Sequence, residues 1–233
     1  MKTIGMIGGM SWESSLEYYR ILNEQVRERL GGLHSAKSLM LSVDFTEIEA
    51  MQREGRWNDA GRSMADAAVS LECGGADFII LCTNTMHKLT PEIEAAVRIP
   101  LLHIADATAK RIRQAGLHTI GLLGTRFTME EDFYRGRLEQ KFGLKVLVPE
   151  VVARDQIHRV IYDELCLGII REDSREVYRK VLHQMADDGA EGIILGCTEI
   201  GLLVSAPDRP VPLFDTTRIH AEEAVTFALE PAS

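Results

Sequence analysis

The segment Thr3-Ile4-Gly5-Met6-Ile7-Gly8 returns 116 positions later as Thr119-Ile120-Gly121-Leu122-Leu123-Gly124. A second pair of segments, residues 75–81 and 189–195, is related in the same way at an offset of 114 positions. Because the order and the offset both persist, two related lobes are the simplest explanation of the repeat. The general likeness of β-strand sequences is the alternative explanation.

Short runs rich in Ile, Val and Leu alternate along the chain with amphipathic stretches, which is typical of a parallel α/β architecture. We predict an α/β fold of two pseudo-symmetric lobes, each a mainly parallel sheet flanked by helices, with the active site in the cleft between them. The first lobe would comprise residues 1–113 plus 215–233, and the second residues 114–214. The predicted strands are residues 2–8, 37–44, 77–82, 100–104, 118–124, 144–149, 192–197 and 211–214.

Local signals predict where several elements begin and end. Ser14-Ser15-Leu16-Glu17 and Thr128-Met129-Glu130-Glu131 have the form of capping boxes at helix N-termini. Thr90 is predicted to cap a helix whose first residue is Pro91, and Gly31-Gly32 is predicted to end the first long helix. The opening residues predict a first strand that ends in a glycine turn, and not a signal peptide.

Composition excludes several classes of function. The chain has 233 residues, of which 45% are hydrophobic and 26% charged, and its formal net charge is −9. It contains no Lys/Arg-rich block, so we expect neither a nucleic-acid partner nor a membrane partner. The four cysteines form no disulfide framework and no metal-ligand pattern, so we expect free thiols, no metal and a cytoplasmic location.

Two polar segments follow corresponding strands of the repeat. In open α/β sheets, ligands bind beyond the carboxyl ends of the strands. Cys82-Thr83-Asn84-Thr85-Met86-His87 follows one strand, and Gly196-Cys197-Thr198-Glu199-Ile200 follows its counterpart. When the two are aligned on the preceding Ile-Ile-Leu, Thr83 falls opposite Cys197. The sequence therefore predicts a small-molecule site to which both segments contribute.

This pairing suits racemisation, which removes a proton from one face of a carbon and returns a proton to the other face. A cysteine thiolate can act as one of the two acid/base groups, and we expect a helix N-terminus or a nearby cation to lower the pKa of its thiol. Main-chain N–H groups in the Thr-Asn-Thr and Thr-Glu turns would bind a carboxylate and stabilise the enolate-like charge that forms when the proton leaves.

Over essentially its full length the chain resembles the aspartate/glutamate racemase superfamily, and most closely its aspartate racemase branch. The resemblance rests on Ile4-Gly5-Met6-Ile7-Gly8-Gly9-Met10-Ser11-Trp12, Thr83-Asn84-Thr85-Met86-His87 and Gly196-Cys197-Thr198-Glu199. It implies an amino-acid racemase that acts on aspartate or glutamate with no cofactor, neither pyridoxal phosphate nor metal. It also implies one catalytic cysteine at the mouth of each lobe.

The sequence departs from that pattern at Thr83, where the family carries its first catalytic cysteine. Cys82 is no substitute, because neighbouring residues on a strand point to opposite faces. A threonine hydroxyl is a poor base but it can donate a proton. By analogy with related racemases, the second cysteine would act on the L-enantiomer. We therefore assign catalysis to Thr83 and Cys197 and predict that L-to-D turnover is kinetically favoured.

Further residues are predicted to bind the substrate. We expect Asn84, Thr85, Thr198 and Glu199 to bind the α-carboxylate and the amino group, with Glu199 facing the ammonium. His87 is interpreted as a structural or supporting residue and not as the base. Whether Arg53 binds a substrate carboxylate or lies on a solvated helix end is left open. Two more side chains complete the predicted site: Met10, below the substrate, and Gln52, in the region where the family determines specificity.

Two other functions stay open at this stage. One is a different reaction on the same scaffold, such as hydantoin racemisation, maleate isomerisation or malonate decarboxylation. The other is an amino-acid binding protein that kept the cleft and lost one of the two acid/base groups. The sequence also leaves open whether the chain forms a homodimer.

Overall fold

The computed structural model describes residues 1–204, 208 and 210–231. It divides into two compact units. The first comprises Met1–Ile104 and the C-terminal segment from His220, and the second comprises Ala105–Ile219. Each unit contains its own four-stranded sheet in which all strand pairs are parallel. The predicted α/β fold, with two lobes built on parallel sheets, is confirmed.

The sheet of the first unit has the strand order β2-β1-β3-β4. Its strands are β1 (Ile4–Gly8), β2 (Ser38–Ser42), β3 (Phe78–Leu81) and β4 (Leu101–Leu102). The helices of this unit are α1 (Trp12–Leu30), α2 (Phe45–Arg53), α3 (Trp57–Cys73), a 3-10 helix (Thr85–Leu89) and α4 (Thr90–Ala96). Two more helices run across the limits of the units: α5 (Ile104–Gln114) and α11 (Thr216–Leu229).

The sheet of the second unit repeats the topology, with the strand order β6-β5-β7-β8. Its strands are β5 (Thr119–Gly124), β6 (Lys145–Leu147), β7 (Gly192–Gly196) and β8 (Leu213–Asp215). Its helices are α6 (Arg126–Glu130), α7 (Arg135–Phe142), α8 (Val151–Asp163), a 3-10 helix (Leu165–Leu167), α9 (Glu172–Asp187) and α10 (Ile200–Leu203). Since β3 and β7 hold the same place in the two strand orders, the sequence repeat is also a structural repeat.

The central strands are buried on both faces, which explains their continuous apolar sequences. In β3, Ile79 and Leu81 pack with a cluster that includes residues of α2, α3 and α4. Phe78 and Ile80 pack on the other face with residues of α1 and α11. In β7, Ile193 packs with α8, α9 and α10. Because side chains alternate between the two faces of a strand, the same alternation indicates the face to which the first side chain after the strand points.

Three of the predicted helix starts are wrong. Helix α1 begins at Trp12, where the Ser11 side chain accepts a hydrogen bond from the Ser14 amide. Helix α6 likewise begins three residues before its predicted start, with Thr125 and not Thr128 as its cap. Thr90 is the first residue of α4 and Leu89 is its cap, and the Thr90 hydroxyl donates to the His87 carbonyl. The predicted end of α1 at Gly31 is confirmed.

No helix among the described residues combines the length and the apolar character that crossing a bilayer requires.

Candidate active site

The Thr83 segment, residues 82–87, begins where β3 ends and runs into the 3-10 helix Thr85–Leu89. Thr83 is 8% exposed, and Asn84 and Thr85 are buried with it. The Thr83 carbonyl accepts a hydrogen bond from the His87 ring at 2.8 Å, and the Asn84 carbonyl accepts one from the His87 amide at 3.1 Å. These bonds hold the polar residues after β3 in a defined turn.

Cys82 takes no part in this polar turn. Its side chain is fully buried in the cluster that contains Tyr18 of α1 and Ala221 of α11. Burial raises the pKa of its thiol far above the usual range. The Ser14 hydroxyl donates a hydrogen bond to the Cys82 carbonyl at 2.9 Å. Cys82 is therefore a core residue of the first unit, in agreement with its position one residue out of phase with Thr83.

Two of the predicted binding residues, Met10 and Gln52, lie next to this segment. The Gln52 amide donates a hydrogen bond to the Met86 sulfur at 3.0 Å, and Met10 packs in the same buried cluster as Met86. Arg53, by contrast, has a side chain that is 64% exposed and forms an ion pair with Glu49 at 2.7 Å. The structure therefore favours the solvated-helix interpretation of Arg53.

A glycine turn follows β1 and leads through Met10 into α1. Gly9 has a φ of +92°, and a Cβ at this position would lie 2.2 Å from the Val43 carbonyl oxygen, so only glycine fits. The Gly9 amide donates to the Ser15 hydroxyl at 2.8 Å, and that hydroxyl donates to the Ser11 carbonyl at 3.0 Å. The start of α1 is thereby tied to the end of β1.

The Cys197 segment, residues 196–200, has the corresponding place after β7. Cys197 lies on the same side of the chain as Ile193 and Leu195 and packs with the cluster formed by α8, α9 and α10. Its thiol donates a hydrogen bond to Oε2 of Glu199 at 2.9 Å, and the Thr198 hydroxyl donates to the same oxygen at 2.7 Å. The Glu199 carboxylate is buried between these two donors.

The pKa of the Cys197 thiol is raised well above its usual value, contrary to the expectation that it would be lowered. Burial is the largest cause, and the negative charge of Glu199 and the proximity of Cys166 act in the same direction. A hydrogen bond from the main-chain N–H of Glu199 acts in the opposite direction. The resting group is therefore a protonated thiol with a carboxylate placed to accept its proton.

In the first unit, Gln52 binds Met86 and Met10 packs in the same cluster as Met86, which belongs to the segment that also carries Thr83, Asn84 and Thr85. In the second unit, Cys197, Thr198 and Glu199 lie together. The contact between thiol and carboxylate was not predicted from the sequence, in which Glu199 was expected to face only the substrate ammonium. The Cys-Thr-Glu spacing was the available signal, since a side chain two residues after the cysteine can turn back to the thiol.

Comparison with known proteins gives a consistent result. A family model described as Asp/Glu/Hydantoin racemase matches residues 7–224. A crystal structure from Yersinia pestis, provisionally assigned as an Asp/Glu racemase, is 56% identical. It covers 99% of this chain and 100% of its own, with a TM-score of 0.92. An aspartate racemase homologue from Pyrococcus horikoshii is 34% identical with a TM-score of 0.85 and covers 99% of this chain and 100% of its own.

One curated relative is named for its activity. The broad specificity amino-acid racemase RacX of Bacillus subtilis is 28% identical over 171 residues, which are 72% of each chain. Each of the two solved structures covers 99% of this chain, so the similarity extends over both units.

Proposed function

We propose, for a chain that belongs to the Asp/Glu/hydantoin racemase family, the racemisation of L-aspartate and L-glutamate without a cofactor. The family and its curated relative support the activity of an amino-acid racemase, which is a kind of isomerase. Cys197 and Thr83 exchange protons with opposite faces of the substrate Cα, and the L-to-D direction has the higher turnover number. The observation that carries this proposal is the thiol–carboxylate pair at Cys197, at the position equivalent to that of Thr83 in the structural repeat.

The contacts of Cys197 support its role as the base for the L-enantiomer. The raised pKa means that little thiolate exists at rest, so the proton must leave when the substrate is bound. Glu199 accepts it across the 2.9 Å hydrogen bond, and the thiolate then takes the Cα proton. A thiolate of raised pKa is a strong base, and the main-chain N–H of Glu199 stabilises it while it exists.

Thr83 completes the reaction from the opposite face. Its hydroxyl delivers a proton to the carbanion and is reprotonated from solvent, while Glu199 releases its proton to solvent. The reverse direction requires the hydroxyl to act as a base, for which it is poorly suited, since a hydroxyl is a weak nucleophile and base unless another group activates it. The two half-reactions therefore differ in rate.

Substrate binding is assigned to the neighbouring groups. Asn84, Thr85 and Thr198 bind the α-carboxylate through side-chain and main-chain donors at the two strand ends, as main-chain N–H groups bind anions generally. Glu199 attracts the ammonium as the substrate arrives, before it takes the proton of the thiol. Met10 and Gln52 line the pocket for the substrate side chain. There the Gln52 amide would donate a hydrogen bond to a substrate carboxylate instead of to the Met86 sulfur.

The test is incubation of L- and D-aspartate, L- and D-glutamate and a neutral amino acid in deuterated water, with measurement of α-deuteration and of chirality. Cys197→Ser should lower α-deuteration of the L-substrate by about 100-fold or more. Thr83→Val, which keeps the shape and removes the hydroxyl, should keep deuteration of the L-substrate and lose inversion. Thr83→Cys should increase deuteration of the D-substrate.

Each alternative gives a different result in the same assay. Deuteration without inversion by the wild-type protein would mean that Thr83 does not complete the reaction. Amino-acid binding with neither deuteration nor inversion would favour a binding protein. Equal rates of deuteration of the D- and L-substrates at saturating concentrations would contradict the assigned role of Thr83.

A further inference from the structure

His87 connects the candidate proton donor to the core of the first unit. Its ring is 2% exposed, and each of its two nitrogens lies within hydrogen-bond distance of the main chain. Nδ1 lies 2.8 Å from the Thr83 carbonyl oxygen, and Nε2 lies 3.2 Å from the amide nitrogen of Ile104, the first residue of α5. The imidazole ring therefore bridges the turn that follows β3 and the start of the helix that follows β4.

These two bonds determine the tautomer of His87. A main-chain N–H can only donate, so Nε2 is the acceptor of the bond from Ile104 and carries no proton. A carbonyl oxygen can only accept, so Nδ1 carries the proton and donates it to Thr83. Both nitrogens of the neutral ring are then engaged, which makes His87 unsuited to act as an acid or a base and well suited to hold the turn.

The surroundings of the ring restrict its orientation. The His103 ring lies 4.6 Å from that of His87 between centroids, and the His220 ring lies 5.8 Å away. His220 is itself held by Tyr18 and by the Leu102 carbonyl, each at 2.8 Å. A buried ring packed in this way has little rotational freedom, so the position of its Nδ1–H is transmitted to the Thr83 backbone.

The Thr83 carbonyl needs such a partner because it lies beyond the last residue of β3. There the strand ladder no longer provides hydrogen bonds, and a buried carbonyl without a donor destabilises the fold. A hydroxyl that delivers a proton to carbon must also be positioned closely, since a displacement of about 1 Å can cost about 100-fold in rate. The same hydrogen bond from His87 meets both requirements.

We propose that His87 is a positioning residue for catalysis, whose Nδ1–H fixes the Thr83 backbone so that the hydroxyl can deliver its proton to the substrate Cα. This inference rests on the proposed function, in which Thr83 acts on one face and Cys197 on the other. His87 then matters for the inversion step and not for removal of the α-proton from the L-substrate.

Two variants separate the two hydrogen bonds. In His87→Asn, the side-chain amide takes the place of Nδ1 and still donates to the Thr83 carbonyl, and the acceptor for the Ile104 amide is lost. In His87→Gln, the side-chain amide takes the place of Nε2 and still accepts from Ile104, and the donor to Thr83 is lost. His220→Gln is the matched control, because the His220 ring packs against that of His87 and its two nitrogens bond to Tyr18 and Leu102.

The readout is the ratio of chiral inversion to α-deuteration, measured with L-aspartate in deuterated water. His87→Gln should lower this ratio by about 10- to 100-fold, while α-deuteration stays within about twofold of wild type. His87→Asn should restore the ratio to within a few-fold of wild type, and His220→Gln should leave it unchanged. An equal loss of inversion and deuteration in His87→Gln, or no rescue by His87→Asn, would overturn the proposal.

A second measurement does not depend on activity. Long-range proton–nitrogen NMR correlation of the folded wild-type protein should show the His87 ring protonated on Nδ1 only. Protonation on Nε2 would overturn the positioning role. A wild-type protein that deuterates neither enantiomer would reject the proposed function, and the NMR result would then decide separately whether His87 donates to Thr83.

Discussion

Acidification should destabilise the first unit through His220, a fully buried histidine. Its Nδ1 accepts from the Tyr18 hydroxyl and its Nε2 donates to the Leu102 carbonyl, each at 2.8 Å. Burial lowers the pKa of His220 from 6.5 to about 4, against smaller opposing contributions from the Leu102 carbonyl and Glu223. Between these two pH values the unfolded chain binds a proton that the folded chain does not, so the free energy of unfolding falls as the pH is lowered.

The size of the effect follows from the two pKa values. Each pH unit of difference is equivalent to about 1.4 kcal/mol, so the full loss is about 3 kcal/mol at pH values below both, and about 2 kcal/mol is lost between about pH 7 and about pH 5. At neutral pH, His220→Gln should cost about 1 to 3 kcal/mol, because the Tyr18 hydroxyl loses its acceptor. The variant should then lose about 2 kcal/mol less than wild type on acidification.

Urea unfolding followed by tryptophan fluorescence provides the measurement. The chain has two tryptophans, Trp12 and Trp57, and both lie in the unit that contains His220. His34→Gln is the control, because it also removes one imidazole and His34 is exposed. If His220→Gln loses as much free energy of unfolding as wild type between about pH 7 and about pH 5, the assignment of the effect to this ring is wrong.

Two further predictions concern the backbone and the thiols. Gly9→Ala should destabilise the protein by about 3 kcal/mol or more in urea unfolding, because φ is +92° and the new Cβ would meet the Val43 carbonyl. Gly61→Ala, inside α3 with only a flexible side chain nearby, should be neutral or stabilising by up to about 1 kcal/mol, and an equal loss in both variants would contradict this reasoning. When the native protein is treated with iodoacetamide, the exposed Cys73 should be labelled first and the buried Cys82 should stay unmodified. Mass spectrometry would measure the labelling, and rapid labelling of Cys82 would refute its burial.

Much of the fold could be predicted from the sequence, because burial on both faces of a parallel sheet imposes long apolar runs. Each strand of the described chain overlaps a predicted one, and β1 and β5 coincide with the repeat that opens the chain. Strand β4 was predicted over residues 100–104 and contains only Leu101–Leu102. Ile104 already begins α5, and its amide donates to His87 instead of to a neighbouring strand.

The helix starts were less predictable because one motif fits two registers. Ser11 and Ser14 are separated by three residues, as are Thr125 and Thr128, and either member of each pair can act as a cap by composition alone. Tertiary bonds decide the register: the Ser14 hydroxyl donates to the Cys82 carbonyl, across a separation of 68 residues. Such a contact leaves no trace in a local pattern.

The candidate site shows the same division between pattern and contact. The repeat aligned Thr83 with Cys197, and both lie after equivalent strands of equivalent sheets. The repeat did not reveal that Glu199 accepts the thiol proton or that His87 donates to the Thr83 carbonyl. Both contacts depend on side-chain rotamers and on burial, which only the folded structure determines.

The different chemistry at the two equivalent positions has a thermodynamic limit. Two enantiomers in water have equal free energy, so the ratio of kcat/KM for the two directions must equal one however unequal the two acid/base groups are. A higher kcat from L to D must therefore be matched by a KM for the L-enantiomer that is higher in the same proportion. The proton donor at Thr83 and the thiol–carboxylate pair at Cys197 therefore determine the free energy of each bound enantiomer relative to the shared transition state. A threonine hydroxyl that is slow as a base thus predicts that the D-enantiomer has the lower KM, and the asymmetry is a property of the bound complexes and not of the overall reaction.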